Sequence, residues 1–292
     1  MPCALLWVRS ALPHRGEGFS TSPAASKHGI PLRRVRIGGV NSLRPLIAVN
    51  GLYVEAEVPY LKLADRYARC LLKSGGLPLV LPPLCGPLDI EDYLGRIDGL
   101  LLTGGDDFET ERLGLGPTHE AATPTCAVKQ DQDLMLARAA IERGIPVMGV
   151  CYGMQLLGLN AGAGLLQHLP EDRPGGQEHS GNVVHGVQVE PDSKLARWVG
   201  VEELDVVSQH HQALTDVPSP WKVVAKDSEG LIEAIEHESH PFALGVQWHP
   251  EKSPEGSLNA RLFDALVNAA GLTAARKHGA ASHETPQTIP GS

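Results

Sequence analysis

The stretch Ile145-Pro-Val-Met-Gly149-Val-Cys151-Tyr-Gly153-Met-Gln155 says more about the fold than any other part of this chain. It opens with an apolar run that predicts a buried strand, and it continues into apolar residues that predict a helix. Cys151 stands at the junction, with a glycine two residues before it and another two residues after it. This spacing is typical of a nucleophile elbow, a sharp strand-to-helix turn in which the two backbones approach closely.

An elbow would give the Cys151 thiol a reactive setting. The sulfur would lie at a helix N-terminus, where backbone N–H groups and the helix dipole favour the thiolate over the thiol. The alternative is a buried structural cysteine in an ordinary β–α turn. The flanking strand and helix signals favour the elbow.

A second motif, His249-Pro-Glu251, follows the apolar run Phe242-Ala-Leu-Gly-Val246. In an extended chain the side chains of His249 and Glu251 face the same way, so the carboxylate could hold one tautomer of the imidazole. By itself the motif is weak, because an exposed loop could carry the same residues. Together with the elbow it supplies a nucleophile, a base and an orienting acid, the minimum for acyl transfer through a thioester.

A third motif, Thr103-Gly104-Gly105-Asp106, ends the apolar run Gly99-Leu-Leu-Leu102. Strand polarity places it at the same sheet edge as Cys151. The two glycines allow a backbone N–H to point at a developing oxyanion, with the N–H of Tyr152 as the second donor. A plain tight turn is the alternative.

Histidines elsewhere in the chain are given less weight. Ser208-Gln-His-His-Gln212 contains a His-His pair that could ligate a metal, but no third ligand stands at a useful spacing. Substrate contact or loop packing is the preferred interpretation. Four further histidines lie singly among polar residues and are expected to face solvent: His179, His185, His237 and His240.

Strand and helix signals alternate from about residue 44 onward and predict a parallel sheet with helices on both faces. From about Gly181 the apolar residues recur with period two, which predicts an added antiparallel section. The expected strands are Leu46–Val49, Leu79–Leu81, Gly99–Leu102, Val147–Val150, Val183–Val189, Leu204–Val207, Val223–Ala225, Leu231–Ile235 and Phe242–Gln247. The expected helices include a first one with Tyr60, Leu63, Ala64, Tyr67 and Leu71 on one face, then Ile90–Leu94, Lys129–Arg143 and Leu258–Val267.

The composition excludes several classes of protein. The formal net charge of −9 argues against a nucleic-acid-binding surface. No run of 18 or more apolar residues exists, so a membrane span is not expected. The five cysteines show no CxxC spacing, which indicates reduced thiols in a cytoplasmic protein and not a disulfide framework or zinc site.

The two ends of the chain differ from its middle. Residues 1–43 are basic and lack periodicity, so we expect a disordered or loosely attached extension. Its composition is typical of an organelle transit peptide, and a mis-assigned start codon explains it equally well. Residues 273–292 are expected to form a disordered tail. One domain is expected, at residues 44–272.

At these motifs the chain resembles the class I glutamine amidotransferase superfamily, whose signature is a G-x-C-x-G-x-Q elbow with a late H-P-E. Within it, the chain is most similar to the gamma-glutamyl-gamma-aminobutyrate hydrolase-like cysteine peptidases. The likeness covers about Arg44 to Leu272. It includes Pro45-Leu-Ile47, Ser74-Gly-Gly76, Leu81-Pro-Pro83, Leu101-Leu-Thr-Gly-Gly105, Arg138-Ala-Ala-Ile-Glu-Arg-Gly-Ile-Pro146 and His210-His-Gln212.

The resemblance implies a flavodoxin-like sheet of seven or more strands with the site at the strand carboxyl edge. It implies a triad in which Cys151 is the nucleophile, His249 the base and then the acid, and Glu251 the orienting group. The N–H groups of Gly105 and Tyr152 would form the oxyanion hole. The implied contacts for a gamma-glutamyl substrate are Gly104, Gln155, Gln209 and His210. No cofactor or metal is called for, and a homodimer is left open.

Two departures from the branch concern the substrate. Its hydrolases commonly have arginine after the nucleophile, where this chain has Tyr152, as in synthetase-linked amidotransferases. They also often carry Arg-Asp-x-Phe-Glu where this chain reads Lys129-Gln-Asp-Gln-Asp133. The preferred function is a free-standing hydrolase of gamma-glutamyl amides. The alternatives are a glutaminase subunit that supplies ammonia to a synthetase partner, and a regulatory module without turnover.

Overall fold

The computed structural model describes residues 44–84 and 86–281, so the expectations for residues 1–43 and 282–292 lie outside the described residues. Thirteen strands and seven α-helices are described there. The strands are β1 (Leu46–Asn50), β2 (Leu52–Val54), β3 (Tyr60–Lys62), β4 (Leu77–Leu81), β5 (Gly99–Leu102), β6 (Val147–Val150), β7 (Leu165–Leu166), β8 (Val183–Val189), β9 (Glu203–Ser208), β10 (Ala213–Leu214), β11 (Trp221–Lys226), β12 (Ile232–His237) and β13 (Ala243–Val246). The helices are α1 (Asp65–Lys73), α2 (Pro87–Arg96), α3 (Ala127–Glu142), α4 (Tyr152–Asn160), α5 (Leu169–Asp172), α6 (Lys194–Val199) and α7 (Arg261–Ala281).

A nine-stranded sheet organises the fold, in the order β4-β1-β5-β6-β13-β12-β11-β8-β9. The first five of these strands are parallel, and the last four continue the same sheet in antiparallel pairing. This confirms the predicted mostly parallel sheet with an antiparallel section. Strands β5, β6 and β13 are buried throughout, as expected for the centre of a sheet covered on both faces.

Two apolar clusters pack on the sheet. One includes residues of α1, α6 and α7, such as Leu71, Leu195 and Leu266. The other includes residues of α2, α3 and α4, such as Leu94 and Leu136. Helices therefore cover the sheet on both faces, as the sequence predicts. None of the helices in the described part of the chain is long and apolar enough to span a bilayer.

Two predicted elements are corrected by the structure. Tyr60, Leu63 and Ala64 do not belong to the first helix. Residues Tyr60–Lys62 form β3, which pairs antiparallel with β2, and α1 begins only at Asp65. The closing helix α7 continues to Ala281, so residues 273–281 are helical and not part of a disordered tail. Packing explains the extra length: Ala274 is buried, and Lys277 Nζ donates to the carbonyl of Ile97.

Candidate active site

The nucleophile elbow is present at the carboxyl end of β6. Cys151 follows Val150 directly and α4 begins at Tyr152. The backbone of Cys151 has φ 51° and ψ −108°. Residues other than glycine rarely adopt a positive φ. Such a conformation costs of order 1–3 kcal/mol and persists where the surrounding structure enforces it. The strained backbone is what an elbow requires.

The two flanking glycines make this turn possible. A Cβ on Gly149 would lie 2.4 Å from the carbonyl oxygen of Gly153. A Cβ on Gly153 would lie 2.2 Å from the carbonyl oxygen of Leu102 in the neighbouring strand. Both distances are far below van der Waals contact. The predicted reason for these glycines, close approach of strand and helix, is confirmed.

His249 links the nucleophile to the carboxylate. Its Nδ1 lies 2.7 Å from Oε1 of Glu251. Its ring lies against the same turn as Cys151, since a Cβ on Gly104 would be 2.9 Å from Cε1 of His249 and 3.7 Å from Cβ of Cys151. Burial by itself lowers the pKa of His249, but the contacts with Cys151 and Glu251 outweigh it and raise the pKa to about 9. All three residues are buried, each with 7% of its surface exposed. The raised pKa of His249 favours an imidazolium beside Cys151 at neutral pH.

The peptide around His249 is fixed from several sides. Its backbone N–H donates to the carbonyl of Val207 at 2.8 Å. The preceding residue, Trp248, is fully buried and donates from Nε1 to Asn259 at 2.9 Å. The expected extended geometry of the motif is corrected, because Pro250–Lys252 form a 3-10 turn. That turn, and not strand alternation, brings Glu251 back to His249.

Tyr67 of α1 belongs to the site, although the sequence indicates only a core position for it. Its hydroxyl accepts the N–H of Gly104 at 3.0 Å and faces Glu251. Burial and the charge of Glu251 raise the pKa of Tyr67 well above its usual range. The hydroxyl is therefore protonated and can donate to the carboxylate while it accepts from Gly104.

The expected oxyanion-hole residues lie beside the elbow. A Cβ on Gly105 would meet the ring of Tyr152 at 3.2 Å, so these two residues are neighbours across β5 and β6. Tyr152 is the first residue of α4, where the N–H has no acceptor inside the helix. The placement agrees with two donors near Cys151. Their role in binding an oxyanion stays a prediction.

The four expected substrate contacts have different surroundings. The N–H of Gly104 is taken by Tyr67, as described above. Gln155 is buried, and its Nε2 donates to the carbonyl of Gln212 at 3.0 Å and to Oε1 of Gln247 at 3.2 Å. The carbonyl of Gln209 lies 3.9 Å from Sγ of Cys151, which places this residue at the nucleophile. Contact of any of them with a substrate stays a prediction.

His210, the fourth expected contact, lies in a buried cluster. Its Nδ1 hydrogen-bonds the carbonyl of Gln212 at 3.0 Å, while its Nε2 lies 3.6 Å from Oε1 of Glu233. His179 is in the same cluster with 4% of its surface exposed, and the side chain of His185 is 6% exposed. The expectation that His179, His185 and His240 face solvent is therefore wrong. Long-range packing around β8 and β12 buries the first two, and His240, 6% exposed, accepts the N–H of Phe242 at 3.1 Å.

A buried ion pair supports the elbow from behind. Lys129 and Asp133 pair on successive turns of α3, with both side chains 2% exposed. Asp133 also accepts from Asn50 at 3.0 Å, and Asn50 in turn accepts the N–H of Thr103 at 2.7 Å. Nζ of Lys129 lies 4.9 Å from the ring centroid of Tyr152. Tyr152 and the Lys129–Asp133 stretch, where the sequence departs from the hydrolase pattern, therefore lie next to each other.

Comparison with known proteins places the chain in a family. A sequence model described as peptidase C26 matches residues 45–251, a range that contains the elbow, the Gly104-Gly105 turn and the His-Pro-Glu motif. The chain belongs to the peptidase C26 family. Membership confirms the resemblance drawn from the sequence.

Named relatives agree with the C26 assignment. A Mycobacterium tuberculosis protein named "Putative glutamine amidotransferase Rv2859c" is 35% identical over 246 residues, which cover 80% of this chain and 77% of that protein. The gamma-glutamyl-gamma-aminobutyrate hydrolase PuuD of Escherichia coli K12 is 32% identical over 225 residues, 71% of this chain and 85% of the hydrolase. Together the family and these relatives support a hydrolase or amidotransferase activity that uses a thiol.

A solved structure supports the fold of this C26 chain. The glutaminase domain of Trypanosoma brucei CTPS, determined with bound acivicin, superposes with a TM-score of 0.56. It is 18% identical, and the match covers 78% of this chain and 94% of that domain. At this identity the likeness concerns the fold alone.

Proposed function

We propose that this protein hydrolyses gamma-glutamyl amide bonds through a thioester on Cys151, with His249 and Glu251 completing the triad. The observation that carries the proposal is the position of His249, which binds Glu251 through Nδ1 and lies with Cys151 against Gly104. A relative named for gamma-glutamyl-gamma-aminobutyrate hydrolysis supports the substrate class.

The first half of the reaction forms the thioester. The Cys151 thiolate attacks the side-chain carbonyl carbon of the glutamyl group, and a C–S bond forms as the carbonyl π electrons move to oxygen. The N–H groups of Gly105 and Tyr152 would stabilise this oxyanion. The oxyanion then collapses, the C–N bond breaks, and the His249 imidazolium gives its proton to the departing amine.

The second half releases glutamate. Neutral His249 takes a proton from water, whose oxygen attacks the thioester carbonyl and forms a second oxyanion. Collapse breaks the C–S bond, frees glutamate, and restores the thiolate and imidazolium. Glu251 keeps one imidazole tautomer throughout, since Nδ1 remains bonded to it.

Lys252 is the proposed anchor for the charged end of the substrate. Its Nζ donates to Asn182 at 2.8 Å and to Oε1 of Gln209, whose carbonyl faces Cys151. Burial lowers the pKa of Lys252, and the charges of Glu251 and Cys151 oppose this effect. A gamma-glutamyl group carries an α-carboxylate. The ammonium of Lys252, held in place by Asn182 and Gln209, is a suitable partner for it.

The direct test is turnover of purified protein with gamma-glutamyl-GABA, other gamma-glutamyl amines and glutamine, followed by mass spectrometry of the released amine. Cys151→Ala should abolish release. Cys70→Ala is the matched control, because burial and the charge of Glu251 raise the pKa of the Cys70 thiol to about 11 and leave it unreactive at neutral pH. Undiminished turnover by Cys151→Ala would rule the mechanism out.

The second candidate is a glutaminase subunit that feeds ammonia to a synthetase. Tyr152 after the nucleophile favours it, as does a relative named as a glutamine amidotransferase. A glutaminase rate that rises sharply when a co-purifying protein is added would support this candidate. Full activity of the isolated chain on gamma-glutamyl amines would contradict it.

A further inference from the structure

Three histidines, His179, His185 and His210, surround one buried carboxylate at the start of β12. Glu233 of β12 is fully buried. Its Oε1 lies 3.5 Å from Nδ1 of His179, 3.6 Å from Nε2 of His210 and 3.8 Å from Nε2 of His185. All three distances exceed those of ordinary hydrogen bonds, which are roughly 2.7–3.2 Å. The ligand atoms of His179, His210 and Glu233 nevertheless converge within 4.8 Å of one another.

The outer nitrogens of two of the rings are hydrogen-bonded, and that of the third lies near a carboxylate. Nδ1 of His210 bonds the carbonyl of Gln212 at 3.0 Å, and Nδ1 of His185 bonds the carbonyl of Gly186 at 3.2 Å. Because a carbonyl can only accept, both outer nitrogens carry the proton. Nε2 of His179 lies 3.2 Å from Oδ2 of Asp227. Metal-binding histidines are oriented in this way, with the outer N–H on a carbonyl or carboxylate.

The inner atoms lack hydrogen-bond partners. Among the described residues, none bonds Nε2 of His185, Nε2 of His210 or either carboxylate oxygen of Glu233. Nδ1 of His179 lies 3.5 Å from Oγ of Ser208, at the limit of a hydrogen bond. With the outer nitrogens of His210 and His185 bonded to carbonyls, their inner nitrogens point towards the carboxylate of Glu233. Acceptors that converge without a donor are unfavourable in a buried volume unless a cation lies between them.

We infer that His179, His210 and Glu233 bind a divalent transition-metal ion of the zinc type. The ligand atoms of these three residues lie within 4.8 Å of one another. Bonds of about 2.0–2.1 Å to a tetrahedral ion would bring such atoms to about 3.4 Å, a small contraction. Two carboxylates, Glu233 and Asp227, balance the charge of a divalent ion. Nitrogen-rich ligands favour zinc over magnesium or calcium.

The position of this metal site indicates a structural role. It would join the loop before β8, the loop after β9 and the start of β12. The N–H of His210 already donates to the carbonyl of His179 at 2.8 Å. His210 directly follows Gln209, whose carbonyl faces Cys151. The ion would thus fix the loop beside the nucleophile without taking part in the reaction, and the inference is independent of the proposed function.

The test uses the full chain purified without a polyhistidine tag, equilibrated with Zn²⁺ and then freed of excess metal. Mass spectrometry of the metal content should find about one zinc per chain. Replacement by Co²⁺ should give the intense visible absorption of a tetrahedral site. Chelation should lower Tm in the wild type. Less than about a tenth of an equivalent, with no cobalt spectrum, would overturn the inference.

Variants locate the ion. Glu233→Gln and His210→Asn should lose it. Should these variants fail to fold, the zinc content and the cobalt spectrum of the wild type still decide. Two controls should keep the full equivalent: His119→Asn, whose ring pairs with Glu171 outside the cluster, and Cys151→Ala at the nucleophile. Loss of zinc in Cys151→Ala with retention in Glu233→Gln would place the metal at the nucleophile and contradict the inference.

Discussion

The hydroxyl of Tyr67 accepts the N–H of Gly104 at 3.0 Å and faces the carboxylate of Glu251. It thereby connects the turn after β5 with the acid of the triad. Among the described residues Tyr67 makes no hydrogen bond to Cys151, so we regard it as a positioning residue. Its effect should appear in the orientation of Glu251 and His249.

Tyr67→Phe should lower kcat about tenfold or more, with little change in KM. The reason is the loss of one hydrogen bond to a charged group, worth roughly 1.5–3 kcal/mol. Steady-state kinetics on a gamma-glutamyl amine would measure it. Tyr60→Phe, at an exposed position of β3, is the matched control and should leave both constants unchanged. An unaltered kcat in Tyr67→Phe would remove Tyr67 from the site.

Glu251→Gln should shift the alkaline limb of the pH profile of kcat/KM to lower pH. His249, with a pKa of about 9, keeps its proton below that value, and the proton is lost as pH rises through it. Removing the negative charge of Glu251 lowers the pKa of His249, so the imidazolium loses its proton at lower pH. The limb reports the coupled Cys151–His249 pair. Glu255→Gln, on an exposed ion pair with Lys73, should not move it.

Gly104→Ala should reduce activity about 100-fold because small displacements of catalytic groups are costly. The added methyl would lie 2.9 Å from Cε1 of His249 and 3.7 Å from Cβ of Cys151. Gly95→Ala is the control, since a Cβ there meets nothing within 4 Å. The circular dichroism spectra of both variants should match that of the folded wild type. Full activity of Gly104→Ala would show that His249 is not held against this turn.

Lys129→Met should destabilise the protein by about 3–5 kcal/mol because it leaves Asp133 buried without its cation. Urea unfolding would give the value. Arg138→Met breaks the Arg138–Glu142 pair, an exposed pair on the same helix, and should cost less than about 1 kcal/mol. The double variant Lys129→Met/Asp133→Leu should recover much of the loss. An equal loss of stability in Lys129→Met and Arg138→Met would contradict a role for the buried pair.

Lys252→Met should raise KM for gamma-glutamyl substrates by about tenfold or more, the value of one charge-assisted hydrogen bond. The change in kcat should be smaller, because Lys252 is proposed to bind the α-carboxylate and not the reacting atoms. An amide lacking that carboxylate should be insensitive to the substitution. An unchanged KM for the normal substrate would remove Lys252 from the binding site.

Local constraints explain what the sequence could predict. Gly149 and Gly153 are recognisable because the elbow imposes a steric requirement at fixed spacing from Cys151, and the structure shows both close approaches. Buried central strands such as β5 and β6 are equally visible as apolar runs. The spacing of His249 and Glu251 predicts their contact, which the structure shows at 2.7 Å. The 3-10 turn that joins them depends on Pro250 and its surroundings and not on strand alternation.

Non-local contacts explain what the sequence could not predict. Tyr67 lies on a helix face that reads as core, and only the fold turns its hydroxyl to Gly104. His179 and Glu233 come from separate strands and loops, so no spacing along the chain announces their meeting with His210. The charge on Lys129 looks solvent-exposed in the sequence, yet Asp133 one turn later allows its burial.

The most direct test of the central claim is mass spectrometry of protein quenched with acid during turnover of gamma-glutamyl-GABA. The account predicts a glutamyl adduct on the peptide that contains Cys151, absent in Cys151→Ala and unaffected in Cys70→Ala. Turnover that proceeds with no adduct at Cys151, and at an equal rate in Cys151→Ala, would contradict it.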